Sequence, residues 1–227
     1  MAAQSSYYSQ EELALLGLAS YGENVRLSRK ASLYGIGNIS IGSNVRIDDF
    51  CVLSGRIAIG NYVHINPFTG IFAGEAGVFL EDFANLASRI TIYAVSDDYS
   101  GDFMTSPLLP KEVTNITHAP VHIGRHVIIG TGTSILPGIH IGEGCAIGAM
   151  SLVKKDCKPW GIYGGIPCRF IKDRSRKLLE LADKLFDGQY SCRFDYLFDV
   201  QSGRVCAGLL GRFHGPEDGF PLRNPHI

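Results

Sequence analysis

Two adjacent carboxylates stand in the run Val95-Ser96-Asp97-Asp98-Tyr99-Ser100-Gly101-Asp102, inside a segment, residues 93–120, that has no hydrophobic period and carries Pro107 and Pro110. Carboxylates with pKa values near ~4 are feeble bases toward a hydroxyl, yet they can hold an amine by hydrogen bonds and take the proton it sheds on attack. The bland alternative is turn chemistry, since Asp ahead of Tyr-Ser-Gly suits a loop. A second grouping places His64 two residues before Asn66, with Asp48 and Asp49 upstream. An imidazole near pKa ~6.5 suits proton abstraction, although a histidine at such a place is more often a surface group. Lys154, Lys155, Arg169 and Lys172 crowd toward one end of the patterned region, where they serve either a phosphate or solvent. His118, His122 and His126 have no defensible catalytic spacing, and no cluster has zinc-ligand spacing, so no metal is expected.

These groups need a scaffold, and its period is plain. Ile123, Ile129, Ile135, Ile141, Ile147 and Val153 recur every six residues, four of them followed by glycine. A helix returns apolar residues every three or four positions and a lone strand every two, so a period of six implies short straight segments joined by regular corners, an all-β solenoid. Upstream the comb falls into trios: Ile41, Ile47, Leu53; Ile59, Ile65, Ile71; Leu80, Leu86, Ile92. Each trio makes one triangular coil with the comb residue inward. Small residues four places after a comb residue (Ala84, Thr133, Cys145, Ser151) fit a narrow interior. The glycines after the comb residues are read as conformational aids to tight corners. Tyr21, Leu27 and Leu33 suggest a degraded first coil, and the comb breaks at residues 35–40 and 74–79. About six coils at ~4.8 Å spacing give a prism roughly 30 Å long.

The expected organisation is a helical cap over 1–20, a solenoid over 21–172 with the inserted loop 93–120, a helix over 173–187 and an irregular tail over 188–227 with no functional reading. Ser9 ahead of Glu11, Glu12 and Leu13 is an N-cap signal, and Leu178, Leu179, Leu181 and Leu185 mark the second helix. A net charge of −1 over 227 residues gives no electrostatic case for nucleic acid or an anionic membrane. No apolar run approaches ~18 residues and the N-terminus lacks a basic-then-apolar leader, so membrane insertion and export are not expected. The six scattered cysteines, with Cys51 and Cys145 at interior positions, point to reduced thiols and a cytoplasmic protein.

Ile123-Gly124-Arg125-His126-Val127-Ile128-Ile129-Gly130, Ile135-Leu136-Pro137-Gly138, the run Ile147 to Asp156 and Gly164-Gly165-Ile166-Pro167 resemble the hexapeptide-repeat acyltransferases across roughly residues 20–185. That resemblance implies a left-handed parallel β-helix, an exception to the usual right-handed crossover, and a homotrimer with acetyl-CoA between prisms. Tyr7-Tyr8-Ser9, Arg46-Ile47-Asp48-Asp49-Phe50 and Ser96 to Gly101 further resemble bacterial N-acetyltransferases of nucleotide-linked amino sugars for surface polysaccharide. The resemblance implies that Asn66 holds the acceptor or an oxyanion, and that Thr131, Gly130, Ala149, Lys154, Lys155, Arg169 and Lys172 line the cofactor. It places Asp97 where related O-acetyltransferases carry a basic histidine. Asp98 is the neighbouring catalytic candidate, and Asp48, Asp49, His64 and Tyr99 are candidate acceptor contacts.

The missing histidine favours an amine acceptor, because a neutral amine is already the nucleophile and needs only orientation and a late proton acceptor. The expectation is therefore acetyl transfer from acetyl-CoA to a nucleotide-linked amino sugar by direct attack on the thioester, with preorganised donors meeting the oxyanion. The rival expectations are an O-acetyltransferase of a sugar, serine or xenobiotic with His64 or a loop histidine as base, and a catalytically silent β-helix scaffold.

Overall fold

The computed structural model describes residues 5–186, which coil into a parallel β-solenoid of six full turns with a seventh begun. The predicted comb closes into three columns. Tyr21, Ile41, Ile59, Leu80, Ile123 and Ile141 stack in parallel register on the first face. Leu27, Ile47, Ile65, Leu86, Ile129, Ile147 and Tyr163 stack on the second. Leu33, Leu53, Ile71, Ile92, Ile135 and Val153 stack on the third. All are buried except Tyr21 and Leu33 in the first coil, which is complete rather than degraded. Ala84, Thr133, Cys145 and Ser151 fill the narrow interior as their period predicts.

A short helix, Gln10–Leu15, precedes the first coil. Ser9 and Glu12 form a reciprocal capping box, and Leu13 is fully buried in the same core as the first coils. Beyond the last coil the strand Gly161–Gly164 is met by Arg169–Asp173 running antiparallel, where the chain reverses. The solenoid unit extends to Leu181, and a helix spans Lys177–Leu185. The expected tail, 188–227, with Cys192 and Cys206, lies outside the described residues.

The corners differ from expectation in one respect. We call the turn from first to second face the first corner, that from second to third the second, and that leading to the next coil the third. At the first two corners the residues in the left-handed region are mostly not glycines: Asn24, Asn44, Tyr62, Phe83, His126 and Trp160 at the first, with Gly144, and Phe50, Phe68, Arg89 and Met150 at the second, with Gly132. Stacking with the neighbouring coil offsets the usual penalty: Asn24 bonds Asn44 at 2.9 Å, and the rings of Tyr62, Phe83 and His126 succeed one another at 5.0 and 4.9 Å. The glycines after comb residues serve instead for close approach. A Cβ on Gly42 would lie 2.6 Å from the Gly60 carbonyl oxygen.

The breaks in the comb fall at the third corner, where Gly35, Gly55 and Gly74 all have positive φ and stack on one another. The loop leaves at this corner too, as a two-stranded ribbon in which Val95–Ser96 pairs antiparallel with Thr117–His118. Extra residues are tolerated there because the ladders on either side keep their register.

Cys51 and Cys157 are interior thiols that burial pushes up to about 11 and about 12 respectively, which keeps them protonated and inert. His126 responds to burial in the other direction, lowered to about 4, with Arg125 and Arg174 adding to the shift. Its folded form stays neutral while an unfolded histidine takes a proton near ~6.5. Stability from this group is therefore complete above pH ~6.5 and falls between about 6.5 and 4, by about 3 kcal/mol in all. Asp82, whose main-chain carbonyl accepts the His126 N–H, is raised by burial and works in the opposite sense. The difference between proteins isolates the histidine: His126→Phe, matching Phe83 at the equivalent position, is expected to flatten the acid slope in urea unfolding at pH 7 and pH 5. An unchanged slope would remove His126 from the acid response.

Candidate functional site

The second corner assembles the polar residues into one line. Its second positions, Asp49, Pro67, Ser88 and Thr131, stack because the N–H groups of Phe68, Arg89 and Gly132 donate to the carbonyls of Asp49, Pro67 and Ser88. Ala149 continues the line, with the Met150 N–H donating to the Thr131 carbonyl at 2.8 Å. Five coils at ~4.8 Å place Asp49 and Ala149 roughly 19 Å apart along the axis. The Thr131 hydroxyl donates to the Ser88 carbonyl at 2.6 Å and lies 3.2 Å from the Ser88 hydroxyl. Phe50 and Phe68, half exposed and stacked at 5.1 Å, border the line, with Lys30 over one end of the pair and Arg89 over the other.

Within coils two and three a connected cluster surrounds Asp48, whose side chain is 7% exposed. His64 Nε2 lies 2.8 Å from Asp48 Oδ2, Arg46 Nε donates to Asp48 Oδ1 at 2.7 Å, and the Tyr7 hydroxyl donates to Oδ1 at 3.2 Å. Tyr7 reaches it because the N-terminal segment pairs with coil one, Tyr7 bridging Ser28. Burial alone would raise the Asp48 carboxyl, but the bonds from His64 and Arg46 hold it below the ordinary carboxylate range. Asn66 Nδ2 donates to the Leu86 carbonyl at 2.8 Å and lies 3.3 Å from His64 Nδ1. Asp49 is bound instead to coil one, accepting from Ser28 and Lys30, which lower its pKa.

The loop residues stand apart from this cluster. Asp98 accepts from the Ser100 N–H at 2.8 Å, the Ser100 hydroxyl at 2.5 Å and Asn115 at 3.3 Å. The Ser100 hydroxyl chiefly, with its N–H, holds the Asp98 carboxyl low, so it is ionised at neutral pH. Asp97 and Tyr99 are exposed, and among the described residues neither Asp97 nor Asp98 bonds to His64, Asn66 or Asp48. Within one chain the loop springs from the third corner and the His64 cluster lies toward the second. Lys154 and Lys155 are exposed after the strand Leu152–Val153, at the third corner, while Arg169 and Lys172 lie on the reversing strand. The basic candidates thus share one end of the prism but divide between the third corner and the reversing strand. Among the described residues no three His, Cys, Asp or Glu side chains converge on a metal position, and no helix is long and apolar enough to cross a membrane.

Ser88 escaped the sequence reading. It stands two residues after the comb residue Leu86, as Asp49 follows Ile47 and Thr131 follows Ile129, so the period could have found it.

Comparison with known proteins matches residues 38–73 and 120–155 to the bacterial transferase hexapeptide (six repeats) model. A curated relative, the dTDP-4-amino-4,6-dideoxy-D-glucose acyltransferase of Escherichia coli, is 49% identical over 179 residues, 78% of this chain and 93% of its own. The crystal structure of AntD, an N-acyltransferase from Bacillus cereus, in complex with dTDP and 3-hydroxybutyryl-CoA, superposes with a TM-score of 0.80 at 48% identity, covering 82% of this chain and 100% of AntD. Variants of AntD with dTDP-4-amino-4,6-dideoxyglucose or dTDP and coenzyme A match equally well, at TM-scores of 0.79 and 0.80. The residues varied in them are a serine and, ten positions later, an aspartate.

Proposed function

The chain belongs to the hexapeptide-repeat acyltransferases, among the nucleotide-amino-sugar N-acyltransferases of that family, and from that premise we propose that it acylates the 4-amino group of a dTDP-linked 4-amino-4,6-dideoxyglucose. The donor is an acyl-CoA, with acetyl-CoA assigned as the natural one, and the product supplies surface polysaccharide synthesis in the cytoplasm. The observation that carries the site to this chain is a spacing. Ser88 and Asp98 are its one serine followed ten residues later by aspartate. Ser88 lies on the second-corner line beside Thr131, which supports a cofactor groove along that line, with the thioester near Ser88 and the phosphates toward Lys155, Arg169 and Lys172.

The chemistry asks for orientation rather than a strong base. The lone pair of the neutral amine attacks the thioester carbon, the N–C bond forms, and main-chain N–H groups at the corner meet the oxyanion. The C–S bond then breaks, and the proton lost by nitrogen passes to the departing thiolate, directly or by way of Asp98. An ionised, hydrogen-bonded Asp98 suits holding an amine N–H better than stripping a hydroxyl. Asp97, the alternative proton acceptor, is exposed and is expected to matter less. Asp98→Ala should lower kcat/KM at least tenfold, about 1.4 kcal/mol, and Asp97→Asn should not. The reverse order would return the role to Asp97.

Because the loop and the second-corner line lie on different corners, a site using both requires a second copy, which supports a homotrimer with sites between subunits. Mixing Asp98→Ala chains with Ser88→Ala chains should restore activity that neither has alone, and failure to complement would place the site within one chain. The reaction itself is tested by offering the dTDP-amino sugar with acetyl-CoA and 3-hydroxybutyryl-CoA in competition and reading the product mass. An acylated nucleotide sugar is expected, and no mass increment with either donor would refute it.

A further inference from the structure

The bonds around Asn66 fix which way its amide faces. The Leu86 carbonyl can only accept, so the group 2.8 Å from it is the nitrogen, Nδ2, and the reversed amide would set two carbonyl oxygens against each other. The remaining Nδ2 hydrogen points at His64 Nδ1, 3.3 Å away, which must then be an unprotonated acceptor. That assigns the ring proton to Nε2, where it is donated to Asp48 at 2.8 Å. Asp48 is in turn held by Arg46 and Tyr7. Every polar atom of the chain from Asp48 to Asn66 is thereby used except Asn66 Oδ1. With both Nδ2 hydrogens occupied, Asn66 has none for an oxyanion, and with both ring nitrogens occupied, His64 has no lone pair free to act as base.

We propose that Asp48 and His64 are positioning residues that lock the Asn66 amide with its carbonyl oxygen presented to the acceptor, so that Asn66 Oδ1 accepts an N–H of the sugar amine and turns the nitrogen lone pair toward the thioester. The inference rests on the proposed amine acceptor. It also supplies discrimination: an amine has a second N–H to give to an acceptor such as Asp98, whereas a hydroxyl has a single proton and would set its oxygen against the other acceptor.

Two isosteric substitutions separate this device from a general base. His64→Asn keeps an acceptor at the Nδ1 position and loses the link to Asp48, and His64→Gln keeps a donor at the Nε2 position and loses the acceptor beside Asn66. With dTDP-4-amino-4,6-dideoxyglucose, Asn66→Ala and His64→Gln are expected to lower kcat/KM about tenfold or more, His64→Asn to stay within about threefold of wild type, and the Kd for coenzyme A to be unchanged throughout. Equal losses in His64→Asn and His64→Gln, or a better His64→Gln, would overturn the proposal. Calorimetric affinity for the 4-amino sugar against its 4-hydroxy counterpart needs no turnover: the ratio should collapse in Asn66→Ala, and a ratio unchanged from wild type would also overturn it. An inactive wild type that retains this preference would count against acyl transfer alone, leaving the positioning pair upheld.

Discussion

Leu86→Ala lowers the free energy of unfolding by about 3–5 kcal/mol, the range for a buried leucine whose surroundings cannot close over the cavity. Leu86 is fully buried midway along the second face, in register with Ile65 below and Ile129 above. The coils on either side are pinned by their own ladder, with the Asn66 N–H donating to the Leu86 carbonyl at 3.0 Å and the Ala87 N–H to the Ile129 carbonyl at 2.9 Å. The gap therefore stays open. Asn85→Ala, one residue away and pointing outward, should change stability by no more than about 0.5 kcal/mol. Urea unfolding at one fixed protein concentration measures both. Similar costs at the two positions would mean that the comb is not the main source of stability.

Gly130→Ala should weaken cofactor binding in a chain that still folds at low temperature. A Cβ there would lie 2.4 Å from the Ala149 nitrogen, 2.7 Å from its Cα and 2.8 Å from the Gly148 carbonyl carbon, all backbone atoms that cannot swing aside. Coils five and six must part at the second corner, and Thr131 and Ala149 lose their alignment. We expect the Kd for coenzyme A to rise at least tenfold, about 1.4 kcal/mol. Gly142→Ala meets Pro159 at 2.7 Å with comparable violence, but at the first corner. It should cost stability while leaving the Kd within about twofold. Matching losses of affinity would mean that the cofactor does not lie along the second corner.

The solenoid was legible because a comb every sixth residue has one geometric solution, and each column from Ile41 to Val153 stacks as its spacing requires. The corners were less legible. Glycine after Ile41 or Ile123 looked like a need for positive φ, whereas Asn44 and His126 take that conformation and the glycines allow neighbouring coils to touch. The individual site residues were named from sequence, but their bonding was not, because Tyr7 comes from the N-terminal segment, Asp48 from coil two and the His64–Asn66 pair from coil three, and only the stack brings them together. Ser88 was missed because one serine in an apolar comb carries no signal until its coil is laid over that of Thr131. The direction of the Asn66 amide depends on the Leu86 carbonyl, twenty residues away, which no local pattern reveals.

The most direct test of the account follows free thiol while the protein consumes acyl-CoA with dTDP-4-amino-4,6-dideoxyglucose or with the same nucleotide sugar bearing a 4-hydroxyl. Thiol release is expected with the amino sugar and at least about a hundredfold more slowly with the hydroxyl sugar, a difference of about 2.7 kcal/mol. Equal rates, or release with the hydroxyl sugar alone, would contradict transfer to an amine.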